Sequence, residues 1–209
     1  MGAMRRWTCG MKAAQGQCLA RCFSTDEALR RLRGESTAVA PPDEICDGLL
    51  ICGLPALQDH LKELQLRGIR HILNAAEGSL HRAAGLDVES ASMRLHVFGA
   101  EDHFADAFAD LAGRFRAAAD FAAEGRRGQG VVVHCASGIS RSSSVCMAHL
   151  MISEGWQLNA AARMVCLARP FARPSPALWR QLRWLEIWHF GCDSPRRSSC
   201  RRKAETCAA

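Results

Sequence analysis

The stretch Val131-Val132-Val133-His134-Cys135-Ala136-Ser137-Gly138-Ile139-Ser140-Arg141-Ser142 decides how the rest of the chain is read. The three valines follow a Gly-rich turn at 128–130 and are too few and too apolar to be anything but a central strand. Ala136–Ser140 is a tight loop of small residues. From Ser142 to Ser153 the residues Val145, His149 and Ile152 recur at helical spacing, and Gly155 stops the run. A strand, a small-residue loop and a helix in that order form an anion cradle, because the loop N–H groups and the helix N-terminus converge on one concave spot. Gly138 permits an unusual backbone angle, and the small side chains leave room for oxygens.

Cys135 opens this loop, and Arg141 closes it six residues later. A field that holds phosphate also stabilises a thiolate, and helix N-termini pull cysteine pKa values down to roughly 3.5–7.5. An ionised sulfur beneath a bound phosphoryl group is a nucleophile held in line. The planar fork of Arg141 can grip two equatorial oxygens of that group at once, which lysine cannot do. Charge stabilisation at those oxygens is the main help phosphoryl transfer can receive.

Working outward, Leu49–Gly53 reads as a strand, followed by a helix with Leu57, Leu61 and Leu64 on one stripe, ending near Gly68. Ile69–Leu73 and Met93–Phe98 read as two more strands, and Ala105–Ala123 as a helix carrying Phe108, Leu111, Phe115, Ala118 and Phe121. Leu158–Arg169 and Pro176–Phe190 supply two further helices, and Trp179, Trp184 and Trp188 are spaced for packing in the core. Strands alternating with helices predict an α/β fold, a central mostly parallel sheet flanked by helices. The folded body runs over 43–191. Residues 1–42 form an extension with a short helix near 24–34, where Ser24-Thr25-Asp26-Glu27 has capping-box spacing, and 192–209 read as a disordered basic tail.

These residues resemble the signature of the cysteine-based protein tyrosine phosphatase superfamily, and Gly138-Ile139-Ser140-Arg141-Ser142 is similar to its dual-specificity branch. The resemblance covers roughly Asp43 to Phe190, including Ile69–Asn74, Leu95–Val97, Arg169-Pro170, Pro174 and Leu178-Trp179-Arg180-Gln181-Leu182. Members usually carry Asn after the second proline; here Ser175 stands there, a residue that can still cap the last helix.

The resemblance implies a phosphotyrosine protein phosphatase-like fold with Ala136, Ser137, Gly138, Ile139, Ser140 and Arg141 binding the substrate phosphate. It also implies a general acid on a loop roughly thirty residues before the cysteine. Asp102, 33 residues upstream of Cys135, fits best, with Glu101 as rival and Asp106 in the first turn of the helix. Ser142 matches the hydroxyl that assists release of sulfur, His134 orders the loop through hydrogen bonds, and Asn74 matches a structural strand-end asparagine.

No Lys or His lies between Cys135 and Arg141, and the chain has no Tyr, so the implied substrate is a phosphoprotein met in a shallow pocket. Such a pocket admits phosphotyrosine and phosphoserine or phosphothreonine. The alternatives are a weakly active pseudophosphatase that docks phosphoproteins, or the same chemistry on RNA 5′-phosphate, phospholipid or glucan. No metal or cofactor is implied.

Composition agrees with one catalytic domain: 209 residues, 48% apolar and 23% charged. No stretch approaches the roughly 18 apolar residues of a membrane helix. The net charge of +6 is concentrated at the ends, in Arg5, Arg6, Lys12 and Arg21 and in the five basic residues of 196–203. These tails suit acidic partners or surfaces, and no nucleic-acid partner is expected. Eleven cysteines without a Cys-x-x-Cys pair argue against a disulfide framework or a zinc site, and Cys46, Cys52, Cys146 and Cys166 read as small hydrophobes in periodic segments. The expected compartment is the cytoplasm, with mitochondria as the alternative through the basic, acid-free segment 1–23.

Overall fold

The computed structural model describes residues 40–86, 92–99 and 108–191. The helix expected near 24–34, most of the N-terminal extension and the tail after Gly191 lie outside the described residues, as do Glu101, Asp102 and Asp106. Five strands form one sheet: β1 (Asp43–Cys46), β2 (Leu49–Gly53), β3 (His71–Asn74), β4 (Arg94–Val97) and β5 (Val131–Cys135). Among the described residues six helices accompany them: α1 (Leu54–Leu66), α2 (Ser79–Ala83), α3 (Phe108–Arg127), α4 (Arg141–Glu154), α5 (Leu158–Ala168) and α6 (Pro176–Phe190).

The strand order is β1-β2-β5-β3-β4, with β1 antiparallel to β2 and the other three pairings parallel. The valine strand is central, as its composition demands: β5 lies between β2 and β3 and is buried throughout. Both faces are covered. Leu49, Ile51, Leu73, Val131 and Val133 face the larger cluster, where Phe115, Met147, Leu150, Leu158 and Leu182 from α3 to α6 meet them. Alternate residues Leu50, Cys52, Ile72 and Val132 face the smaller cluster with Leu57 and Leu64 of α1. Each fully buried aliphatic side chain contributes about 1.5–3 kcal/mol, so this two-faced burial carries the fold.

The helix after β5 is unusual because it is buried from Ser142 to Met151 on every side. Its first-turn serines are tolerated there because they bond backward. The Ser143 hydroxyl donates to Ile139 O at 2.6 Å and to Ser140 O at 2.8 Å, and the Ser144 hydroxyl donates to Ser140 O at 2.9 Å. Gly155, with φ +71°, ends the helix in the left-handed conformation expected of it. Ser175 caps α6, accepting the Leu178 N–H at 3.3 Å.

Some expectations are corrected. β1 and α2 are present although neither was read as an element, and α3 continues to Arg127 rather than Ala123. Cys166 is exposed. Trp179 packs against the core, but Trp184 and Trp188 are 51% and 55% exposed, because α6 already fills its inner face with Leu178, Leu182 and Leu185.

Candidate active site

The carboxyl ends of β2, β5 and β3 lie level, with Gly53 beside Cys135 and Asn74 beside His134. Parallel sheets present ligand sites at this edge, where neighbouring strands lead off to different elements. Here Cys135 ends β5, residues 136–140 turn, and Arg141 begins α4.

The carbonyls of this loop all accept hydrogen bonds from the surrounding protein. Leu54 N–H donates to Ala136 O at 3.0 Å, and Arg173 N–H to Ile139 O at 2.8 Å. Arg169 holds two more, its Nε–H donating to Gly138 O at 2.5 Å and its guanidinium to Ser137 O at 3.2 Å. The same side chain is tied to Asp43 of β1 at 2.5 Å. With these oxygens engaged elsewhere, the loop is free to offer peptide N–H groups to an anion, and the Gly138 N–H already points at Cys135 Sγ at 3.2 Å.

Two glycines let the loop sit so close to the sheet. Gly138 has φ +72°, and a Cβ on it would meet the Cys52 carbonyl at 2.5 Å. A Cβ on Gly53 would meet the Ser137 carbonyl at 2.9 Å.

Cys135 is 1% exposed at the floor of this cradle. Its Sγ accepts the Gly138 N–H at 3.2 Å and lies 3.3 Å from the Ser142 hydroxyl, which donates when the sulfur is ionised. Burial pushes the thiol up and is the largest single influence. The Ser142 hydroxyl and N–H, the Gly138 N–H and the Arg141 guanidinium together outweigh it and hold the thiol below its ordinary value. Arg141 stands at the helix start with a buried Nε that meets no hydrogen-bond partner among the described residues. Ala136, Ser137 and Ile139 are exposed around the rim, whereas the Ser140 hydroxyl is turned aside and accepts the Ser175 N–H at 2.8 Å.

Behind the loop, the rings of His134 and His81 stack 4.8 Å apart, with their Nε2 atoms at 2.7 Å. Burial pushes His134 down to about 3 and also lowers His81, so the pair is neutral and one ring N–H donates to the other. The His134 carbonyl accepts the Ala75 N–H at 2.7 Å. Asn74 accepts from Ala76 N–H at 2.9 Å and donates to Glu77 O at 3.0 Å, fixing the turn after β3. The sequence brought Cys135, Arg141, Ser142 and His134 to notice, and the fold gathers all four at one strand end. It gave no role to Arg169, Asp43 or His81, whose partners are 31 or more residues away along the chain. Among the described residues, no group of three His, Cys, Asp or Glu side chains is placed to hold a metal ion.

Comparison with known proteins agrees with this geometry. The family model "Dual specificity phosphatase, catalytic domain" matches residues 53–187. The chain is 34% identical over 165 residues to dual specificity protein phosphatase 26 of Bos taurus, covering 75% of this chain and 76% of that one. It is 33% identical over 155 residues to dual specificity phosphatase 28 of Homo sapiens, covering 74% and 83%. The crystal structure of human dual specificity phosphatase 28 superposes with a TM-score of 0.61 at 25% identity, covering 73% of this chain and 97% of that one. A mouse putative dual specificity phosphatase complexed with zinc tungstate gives 0.60 at 25% identity, covering 78% and 97%. With a family match that begins at Gly53 under the loop and ends on the last helix, this chain belongs to the dual specificity phosphatase family of cysteine-based phosphatases.

Proposed function

We propose that the chain removes phosphate from phosphotyrosine and from phosphoserine or phosphothreonine in proteins through a cysteinyl-phosphate, and that residues 43–191 are the catalytic unit. Cys135 is the nucleophile. Its sulfur attacks phosphorus in line as the bond from phosphorus to the departing oxygen breaks. The loop N–H groups of residues 136–140 and the Arg141 fork hold the three equatorial oxygens. Asp102 gives its proton to the leaving oxygen. In the second step the Asp102 carboxylate takes a proton from water as that water attacks phosphorus. The phosphorus–sulfur bond then breaks, and sulfur leaves as the thiolate it began as, stabilised by the Ser142 hydroxyl.

The observation that carries this reading is the pair of hydrogen bonds to Cys135 Sγ at 3.2 and 3.3 Å, beneath a loop whose carbonyls are held by Leu54, Arg169 and Arg173. A protein that only docked phosphate would have no use for an ionised sulfur there, which favours turnover over binding alone. The cytoplasm is the proposed compartment, on the odd count of eleven cysteines.

Rapid quenching of turnover with phosphotyrosine and phosphothreonine peptides, followed by peptide mass spectrometry, tests the scheme. A phosphoryl adduct on Cys135 with both substrates is expected. Full turnover with no adduct on this residue would remove it as nucleophile, and RNA 5′-phosphate, a phospholipid or a glucan outpacing the peptides would move the substrate class.

A further inference from the structure

Helix α6 has two apolar stripes rather than one. Leu178, Leu182 and Leu185 pack inward. On the outer side Pro176, Trp179, Arg180, Arg183, Trp184 and Ile187, at positions i, i+3, i+4, i+7, i+8 and i+11, line a groove of about 370 Å³. Beyond its end Trp188 is also largely exposed, with the Arg116 guanidinium of α3 over its ring at 5.2 Å. Half-exposed indoles beside guanidinium groups are the residue types that carry most binding energy where proteins meet.

The position and charge of the groove say what it receives. Its near end, Pro176, follows Ser175, whose N–H is bonded to Ser140 of the phosphate loop at 2.8 Å. From that contact on the flank of the phosphate loop the groove leads away along the helix. The eleven steps from Pro176 to Ile187 span about 16 Å at ~1.5 Å per helical residue. An extended peptide covers that in about five residues at ~3.3 Å each.

The ionised residues lining the groove are the arginines 180 and 183. The nearby carboxylate of Glu186 is buried, accepting the Leu158 N–H at 2.8 Å and facing Arg183 at 3.4 Å. A second copy of the chain would set arginine against arginine, and the terminal runs at 1–22 and 196–203 are also basic.

We propose that this groove docks the phosphoprotein substrate. The docked segment is a stretch of about five residues flanking the phosphorylated residue, and it carries Asp or Glu beside an aromatic or branched apolar residue. The proposal rests on the phosphoprotein reading above, and names the sequence context that the active site selects.

The test uses the full chain with two phosphopeptides, one bearing that acidic, apolar flank and one with Ser and Ala in its place, beside a small aryl phosphate. The acidic flank should raise kcat/KM about tenfold, chiefly through KM, and the advantage should shrink with added salt. Trp184→Ala and Arg180→Glu should each erase most of it while aryl phosphate hydrolysis stays within about twofold. Equal rates on the two peptides in the unmodified chain, or variants that slow the aryl phosphate in step, would overturn the proposal. Fluorescence anisotropy with the unphosphorylated acidic peptide judges the groove even if no substrate is hydrolysed: binding lost in both variants upholds it. No binding, with Trp184→Ala instead altering sedimentation of the protein, assigns the face to a second copy and overturns it.

Discussion

Cys52 and Cys135 lie near the carboxyl ends of neighbouring strands, one register step apart, and both are buried. Cys52 at the end of β2 faces the apolar cluster of Leu50, Leu57, Ile72 and Val132, and burial pushes its thiol far up. Cys135 at the end of β5 is pushed the same way by its own burial, yet its thiol is held down, because Ser142, Gly138 and Arg141 supply donors and charge that β2 does not. Taking a thiol out of water therefore does not decide its chemistry. What separates the two is the set of donors beyond the strand: the Ser142 hydroxyl and N–H and the Gly138 N–H reach Cys135, while the chain after Cys52 passes through Gly53 directly into α1 at Leu54.

The comparison is broken most severely by exchanging the sulfurs. Cys135→Ser should lower kcat on aryl phosphate by on the order of 10⁴-fold or more, whereas Cys52→Ala should leave kcat within about twofold and cost about 1 kcal/mol in a denaturant melt. An active Cys135→Ser protein would show that the difference between the two sites is without catalytic meaning.

Next in size is the proton donor. Asp102→Asn should slow an aryl phosphate with a poor leaving group by about 10²–10⁴-fold, and Glu101→Gln by far less. The reverse order would move the acid by one residue.

Loosening the loop comes third. Arg169→Ala removes both donors from Ser137 and Gly138 carbonyls and breaks the ion pair with Asp43. A fall in kcat on the order of 10–10²-fold is expected from misplacement of the amides, with a stability loss of about 1–3 kcal/mol. Arg169→Lys should rescue stability better than kcat, since one ammonium cannot reach three acceptors in a fixed fork. Equal rescue of both would reduce Arg169 to a stabilising contact.

Smallest is Ser142→Ala, which removes one of the lowering influences on Cys135. The acid limb of kcat/KM should move to higher pH, since the thiolate then forms later in the titration, and breakdown of the intermediate should slow by a few-fold. An unmoved limb would mean that the hydroxyl does not hold the ionised sulfur.

Much of this site was legible in the sequence because it is local. A valine strand, a small-residue loop and a helix with a glycine stop are consecutive, so periodicity and residue size define them together. What joins the loop to its support is not consecutive. Arg169 reaches back to β1 across 126 residues, and His81 meets His134 across 53. No spacing rule encodes such contacts. β1 escaped notice because Asp43-Glu44-Ile45-Cys46 is a polar edge strand with one fully buried residue, and α2 because five residues are too few to show a period. Trp184 and Trp188 of α6 misled for the opposite reason. Their spacing is helical, but it marks the outer stripe, and spacing alone does not say which of two stripes faces the core.

The central claim is that the fold keeps Cys135 ionised at neutral pH. The rate of alkylation at Cys135 and at the exposed Cys166, whose thiol burial raises somewhat, can be followed in one protein by peptide mass spectrometry across pH. The Cys135 rate should already be on its plateau at neutral pH and be suppressed by vanadate, while the Cys166 rate is still climbing in the alkaline range. Coincident profiles for the two thiols would contradict the account.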